Sequence, residues 1–371
     1  MLAGDSCQPL VGDIAEPLAQ PLAVLSTDAE ATPLATADPN PTAYTPTQMQ
    51  HAYGYDQIFF EGGSIVGDGT GQTIAIVNAY HTPTALADLN AFSTEFGLPP
   101  PPTFTQVSQT GGDPSAILTN GNWALETALD IQWAHAFAPG ASILLVEAAS
   151  ATFANLTAAV SYARSVAGVS VVSMSWGSLE FATELQYDIN FTTPANHAGV
   201  VFAAAAGNSG SPGMYPGYSP NTLTVGGTTL GLDGLGNITA EHAWNNGGGG
   251  ISLYEPQPSF QNGFVTQSAT QRTAPDVSFE ADPSTGVPVY DSFNNGAVTP
   301  WVKVAGTSFA TPSWGALVAI ADQGRNLAGK PVLDGPTLMS MLYAMPASNF
   351  NDITIGGSGG ATPQSATPGY D

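Results

Sequence analysis

"NWALETALDIQWAHAFAPGA", residues 122–141, reads as a helix over 121–137. At the 3.6-residue period Glu126 and Asp130 stand four apart, one above the other on a single face. Trp123, Trp133 and Phe137 fall within about sixty degrees of that face. Two carboxylates therefore share an aromatic, core-facing stripe, where burial of charge is costly and like charges repel. Packing alone gives no reason for them.

Outward from this helix, apolar runs rich in β-formers alternate with helical patterns. Upstream lie a strand over 72–80 (QTIAIVNAY) and a helix near 83–96. Downstream come strand 141–149, helix 153–167, strand 169–176, a helix near 184–197 and strand 199–207. Continuous apolar strands separated by helices indicate a predominantly parallel sheet flanked by helices on both faces, an α/β fold in a single domain. After 207 the chain is richer in Gly, Pro and short strands such as "LTVGGTTL" and "GVPVYDS", then returns to helix at "SFATPSWGALVAIADQ". Residues 1–42, rich in Ala, Pro, Thr and acids, read as a flexible or loosely docked arm ahead of a domain over 43–371.

The 371 residues are 43% apolar, enough for a sizeable core, and no apolar run reaches the length of a membrane span. Against 29 Asp and Glu stand 5 Lys and Arg, a formal charge of −24. Such a surface repels nucleic acid and anionic membranes, so neither is expected as a partner, and it loses self-repulsion in acid. The single Cys7 excludes an internal disulfide. "MLAGDSCQPL" shows no signal-peptide pattern.

"VAGTSFATPSWGALVAIADQ", from 304, reads as strand, Gly turn and helix, with Ser308 at the helix start. A structural reading makes Thr307 or Ser308 the N-cap, with Pro312 in the first turn. A functional reading makes Ser308 a nucleophile on a tight turn, its own N–H and the helix dipole favouring an oxyanion. "GTSFATP" resembles the nucleophile motif of subtilisin-type serine peptidases. The five histidines, however, lie in "MQHAY", "AYHTP", "WAHAF", "NHAGV" and "EHAWN", none in that family's His context, and Asn78 stands where its orienting Asp is expected. Another base is needed.

The helix supplies one. With "ALETALDIQWAHAFAPGA", "VVSMSWG", "AAAAGNSG", "APDVSFEADPSTGVPVYDS" and "FNDIT…PGYD" in this order, the chain resembles the sedolisins, serine-carboxyl peptidases with a subtilisin-like fold. The resemblance implies Glu126 as general base and then acid, Asp130 as its partner, and Ser308 as nucleophile. Two close carboxylates in apolar surroundings titrate as a coupled pair, which suits acid–base work below neutrality. One departure is Asn208 in "FAAAAGNSGSPG", where the family carries an aspartate that donates to the oxyanion only when protonated. Asn208 donates at any pH, so activity is expected at higher pH than in a typical sedolisin. A loop asparagine is the structural alternative.

"NDITIGGSGGATPQSATPGYD" closes the chain with a Gly-rich loop between Asp352 and Asp371. Such composition makes ordinary surface loops too. By the resemblance it holds one structural Ca²⁺ through the carboxylates of Asp352 and Asp371 and the carbonyls of Ile353, Thr367 and Gly369. Asp276 and Asp282 in "APDVSFEADP" are expected in turns. Together these features imply a secreted or extracytoplasmic, monomeric endopeptidase acting on proteins or peptides. The alternatives are a tripeptidyl-type exopeptidase and a binding module on a retired peptidase fold.

Overall fold

The computed structural model describes residues 16–17, 20–21 and 43–370. Two short strands come first, β1 (Glu16–Pro17) and β2 (Gln20–Pro21). The first half of the body then alternates: β3 (Thr73–Ala79), α1 (Ala85–Glu95), β4 (Phe104–Ser108), α2 (Gly121–Phe137), β5 (Ser142–Ala148), α3 (Phe153–Ala163), β6 (Val169–Met174), β7 (Trp176–Gly177) and β8 (Val201–Ala205). The second half carries β9 (Leu223–Leu232), β10 (Ile238–Ala243), β11 (Val277–Glu280), β12 (Val287–Tyr290), β13 (Trp301–Ala305), α4 (Thr307–Leu327) and α5 (Gly335–Ala344).

The central sheet runs β10-β9-β8-β6-β3-β5-β4, with β11 also beside β9. Its pairs are parallel except β9 with β10. Because successive side chains face opposite ways, one apolar strand feeds two cores. Ile74, Ile76, Leu145, Val171 and Val201 pack with Leu129, Trp133, Phe309 and Ile320 of α2 and α4. Ala75, Val77, Val146, Val172 and Phe202 pack on the other side with Leu156 and Val160 of α3. The expected subtilisin-like α/β sheet covered on both faces is what forms.

Two local features depart from the sequence reading. The helix expected over 184–197 is a short 3₁₀ segment, Glu184–Phe191. The β-branched Thr192 and Thr193 follow it, and Pro194 disfavours helix at the residue before it. Strand β4 was not anticipated; its "FTQVS" is only half buried and follows a proline run. Asp276 lies in the bend ahead of β11, as expected, and there meets the guanidinium of Arg272 with both oxygens, at 2.8 and 2.6 Å, both side chains fully buried. Asp282 does hold a turn, accepting from the Ser284 N–H at 2.8 Å.

Of the arm over 1–42, only β1 and β2 lie among the described residues. Each pairs antiparallel with the body, β1 with β7 and β2 with β13. No helix among the described residues is long and apolar enough to cross a membrane.

Candidate active site

Helix α2 starts where the Asn120 side chain accepts from the N–H groups of Asn122 and Trp123, at 3.0 and 3.3 Å. From Trp123 to Phe137 every residue is buried, Glu126 and Asp130 completely. A helix apolar on all sides belongs in the centre of a domain, and its two acids go there with it. Asp130 is met by donors on both oxygens. Its Oδ1 accepts from the Ser175 hydroxyl at 2.7 Å, and its Oδ2 from the Asn78 amide at 3.0 Å. Asn78 lies near the carboxyl end of β3, and Ser175 joins β6 to β7. Burial pushes the Asp130 carboxyl up to about 8, against the opposing pull of these two hydrogen bonds.

Ser308 is the second residue of α4. The N-cap is Gly306 at φ 117°, a left-handed conformation a side chain rarely adopts, so neither Thr307 nor Ser308 is the cap. Pro312 sits in the second turn rather than the first, and its placement has a consequence. Having no N–H, it cannot bond the carbonyl four residues back, which is that of Ser308. The Ser175 hydroxyl reaches that place, 3.2 Å from the Ser308 carbonyl oxygen, its one proton shared between this carbonyl and Asp130. Ser175 thereby connects Asp130 on α2 to Ser308 on α4. Ser308 Oγ is buried and makes no hydrogen bond among the described residues.

Asn208 follows β8, almost wholly buried. Its Oδ1 accepts from both the N–H and the hydroxyl of Thr307, each at 2.9 Å. The Thr307 hydroxyl in turn accepts from the Gly207 N–H at 3.2 Å. These contacts fix which end of the amide is oxygen, and so orient its nitrogen, the donor end, to the other side. Asn78, Ser175 and Asn208 all lie at the carboxyl ends of parallel strands, the edge where open α/β sheets place ligands. Ser175 and Thr307 were not picked out as functional from sequence. Both sit inside quoted motifs, where hydroxyls read as strand or cap residues.

Other carboxyls are buried as well. Burial is the main cause that pushes Glu184 up to about 9, Glu255 to about 8 and Asp322 to about 7. A carboxyl whose folded pKa is raised binds its proton more tightly in the native state than in the unfolded one. Its favourable contribution is complete below the unfolded pKa near 4 and is lost as pH climbs through the folded value. We therefore expect the melting temperature to be highest near pH 4 and to fall by on the order of 10 °C by pH 8. Calorimetry across that range checks this; a stability that rises with pH would contradict the burial of these groups.

The C-terminal loop is closed at its base, the Gly369 N–H donating to Asp352 Oδ2 at 3.0 Å. Tyr370 anchors it, its hydroxyl proton in reach of the carbonyls of Thr273 and Pro275, at 3.0 and 2.8 Å. Among the described residues no cluster of three His, Cys, Asp or Glu gathers for a metal. The donor set in question is different: the Asp352 carboxylate with carbonyls of a closed Gly-rich loop, hard oxygens that fit calcium. Asp371 lies outside the described residues.

Residues 116–338 match the sequence model of the Subtilase family. The chain is 34% identical to kumamolisin from Bacillus sp. (strain MN-32), over 89% of this chain and 61% of that protein. It is 28% identical to sedolisin from Pseudomonas sp. (strain 101), over 81% of this chain and 54% of that protein. It thus spans about three-fifths or less of the length of these curated relatives. The solved structure of Pseudomonas sedolisin, a serine-carboxyl proteinase complexed with two molecules of pseudo-iodotyrostatin, superposes with a TM-score of 0.73 at 26% identity. That match covers 89% of this chain and 93% of that one.

Proposed function

Because the chain belongs to the subtilase family and, within it, to the sedolisins, we propose that it is a serine-carboxyl endopeptidase hydrolysing peptide bonds of proteins through an acyl-enzyme. The observation that carries this reading is the hydrogen-bonded path from Asn78 through Asp130 and Ser175 to the Ser308 carbonyl. It ties the carboxylate helix to the serine helix without a histidine. In the proposed cycle Ser308 Oγ attacks the substrate carbonyl while Glu126 takes its proton. Asp130, one turn further along α2, orients Glu126 and shares its proton. The Asn208 amide and the Ser308 N–H bind the tetrahedral oxyanion. Glu126 then protonates the leaving amine, and water releases the acid by the same route.

Substrates are protein or peptide segments, and an acidic extracytoplasmic setting suits both the charge of −24 and the raised carboxyls. One Ca²⁺ is proposed at the C-terminal loop, held by Asp352 and Asp371 with carbonyls of Ile353, Thr367 and Gly369. Bound there, it supplies only cross-linking of the loop. Chelation is then expected to lower the melting temperature by about 5 °C, the effect of losing an ion present at roughly 100 times its Kd. An unchanged melting curve in EGTA would remove the ion from the proposal.

The test of the peptidase itself is digestion of an unfolded protein between pH 2 and 8, with product sizes read by mass spectrometry. Fragments of many lengths support an endopeptidase. Tripeptides alone would convert it to an exopeptidase, and no cleavage by folded, calcium-loaded protein would leave a binding module.

A further inference from the structure

We propose that Ser211 and Thr362 are positioning residues for the oxyanion donor, a hydroxyl pair that clamps the loop of Asn208 to a hairpin 151 residues further along the chain. The proposal rests on the peptidase reading above and adds to it two residues that act on the reaction through Asn208.

Asn208 leaves β8 on a short loop whose two sides are pinned by different parts of the molecule. Upstream, the Gly207 carbonyl accepts from the Gly248 N–H at 2.8 Å, and the Gly207 N–H donates to the Thr307 hydroxyl. Downstream, the Gly210 N–H donates to the Asn246 carbonyl at 2.8 Å. Ser211, three residues after Asn208, then meets the hairpin in which Gly357–Ser358 pairs antiparallel with Gln364–Ser365. Its N–H donates to the Gly359 carbonyl at 2.8 Å, and its carbonyl accepts from the Thr362 N–H at 3.1 Å. Its hydroxyl lies 2.7 Å from that of Thr362. The hairpin is itself seated, Gly359 donating to the Asn245 carbonyl and the Ser358 hydroxyl to the Gly247 carbonyl, each at 2.6 Å. Gly210 and Gly360, both at positive φ, allow the approach, because a Cβ at either would run into the facing backbone.

The hydroxyl pair has a defined direction. Ser211 is fully buried, and its one proton goes to the Gly249 carbonyl at 2.9 Å. Its oxygen is then the acceptor, so the Thr362 hydroxyl donates to it. Folding has little need of this bond. Without the Ser211 hydroxyl, the Gly249 carbonyl still accepts from the Gly213 N–H at 2.8 Å and the Tyr218 hydroxyl at 2.9 Å. Thr362 is exposed and turns to water.

What the bond fixes is where the chain returns from Asn208. Thr307 sets the direction of the Asn208 nitrogen by holding its oxygen. How far that nitrogen reaches depends on where the backbone is pinned on either side. A donor to a developing oxyanion must stand within about 0.5 Å of its place. Two main-chain bonds to the hairpin survive removal of the hydroxyls, so only part of the donor's effect is lost. The expected fall in kcat is about tenfold, against roughly 10²–10³ for losing the whole donor.

The experiment compares the whole chain with Ser211→Ala, Thr362→Val and Thr362→Ser at pH 4. Cuts are mapped in an unfolded reporter protein, and a peptide aldehyde and the matching alcohol are built on the residues before one cut. Ser308 Oγ adds reversibly to the aldehyde carbon, whose oxygen then lies where the oxyanion forms; the alcohol reports ground-state binding alone. Ser211→Ala and Thr362→Val should each lower kcat about tenfold at constant KM. The aldehyde should weaken by the same factor and the alcohol should not. Thr362→Ser keeps a hydroxyl and should recover the parent's values. Beside Asn208→Ala, Ser211→Ala should lose nothing more, since no donor is left to position. The ratio of the two inhibitor affinities is independent of the folded fraction, so a loss of fold does not imitate the result. Inhibitors weakened alike, an unchanged aldehyde, an Asn208→Ala protein as active as the parent, or a tenfold loss that persists beside Asn208→Ala overturns the clamp and leaves the peptidase reading standing. If the parent cuts no reporter between pH 2 and 8, both readings fall.

Discussion

Replacing Ser308 by alanine is expected to lower cleavage of an unfolded protein by about 10⁶-fold, the order seen when a serine nucleophile is removed from a catalytic unit whose members act together. Glu126→Gln keeps the shape of the side chain and removes the base, so its loss should approach the same size. The two losses should not add, because either change stops the same proton transfer. Neither variant should melt more than a few degrees away from the parent. Among the described residues Ser308 Oγ makes no hydrogen bond that folding would miss, and its backbone carbonyl, which does bond Ser175, survives in alanine. Initial rates with purified variants, beside their melting curves, separate the chemical effect from a folding one. A Ser308→Ala protein within tenfold of the parent would mean that the nucleophile is elsewhere.

Much of this site can be read from the chain because the chemistry conflicts with packing. Glu126 and Asp130 stand out in an aromatic helix precursor precisely where a core would have apolar residues, so a pattern built on periodicity exposes them. Ser308 is visible for a related reason: Gly306 and Pro312 bracket it, and neither favours a helix interior. The parallel sheet is equally legible, since strands buried on both faces must be apolar throughout. What escapes is set by contacts between distant segments. The bond from Ser175 to the Ser308 carbonyl exists because Pro312 withholds an N–H, and nothing local to Ser175 announces it. The Arg272–Asp276 pair hides in the same way, because a short i,i+4 spacing in a Pro-containing stretch looks like a surface turn. The pairing of Glu16–Pro17 and Gln20–Pro21 depends on strand edges more than a hundred residues away. Two-residue strands carry no periodicity to detect.

Exchanging Asn208 for aspartate should leave activity near pH 3 to 4 within a few-fold and lower it by about 10²–10³ near pH 7. The geometry gives the sign. In the native protein Asn208 Oδ1 already accepts two hydrogen bonds from Thr307, at 2.9 Å each, which commits the nitrogen end to donation. Aspartate keeps the same two bonds with one oxygen and places its second oxygen where the nitrogen was. Protonated, that oxygen donates to the oxyanion; ionised, it repels it. Two donors from Thr307, one of them a backbone N–H at the start of α4, favour the ionised form more strongly than the two side-chain donors do at Asp130, and they outweigh near-complete burial, so the variant should lose its proton below neutrality and its rate with it. Asn208 itself has no proton to lose, which leaves the alkaline limb of the native enzyme to the Glu126–Asp130 pair. The variant's alkaline limb must therefore move to lower pH while the acid limb stays in place. If both profiles coincide, the amide at 208 does not touch the reacting oxygen, and the oxyanion must be held by other donors.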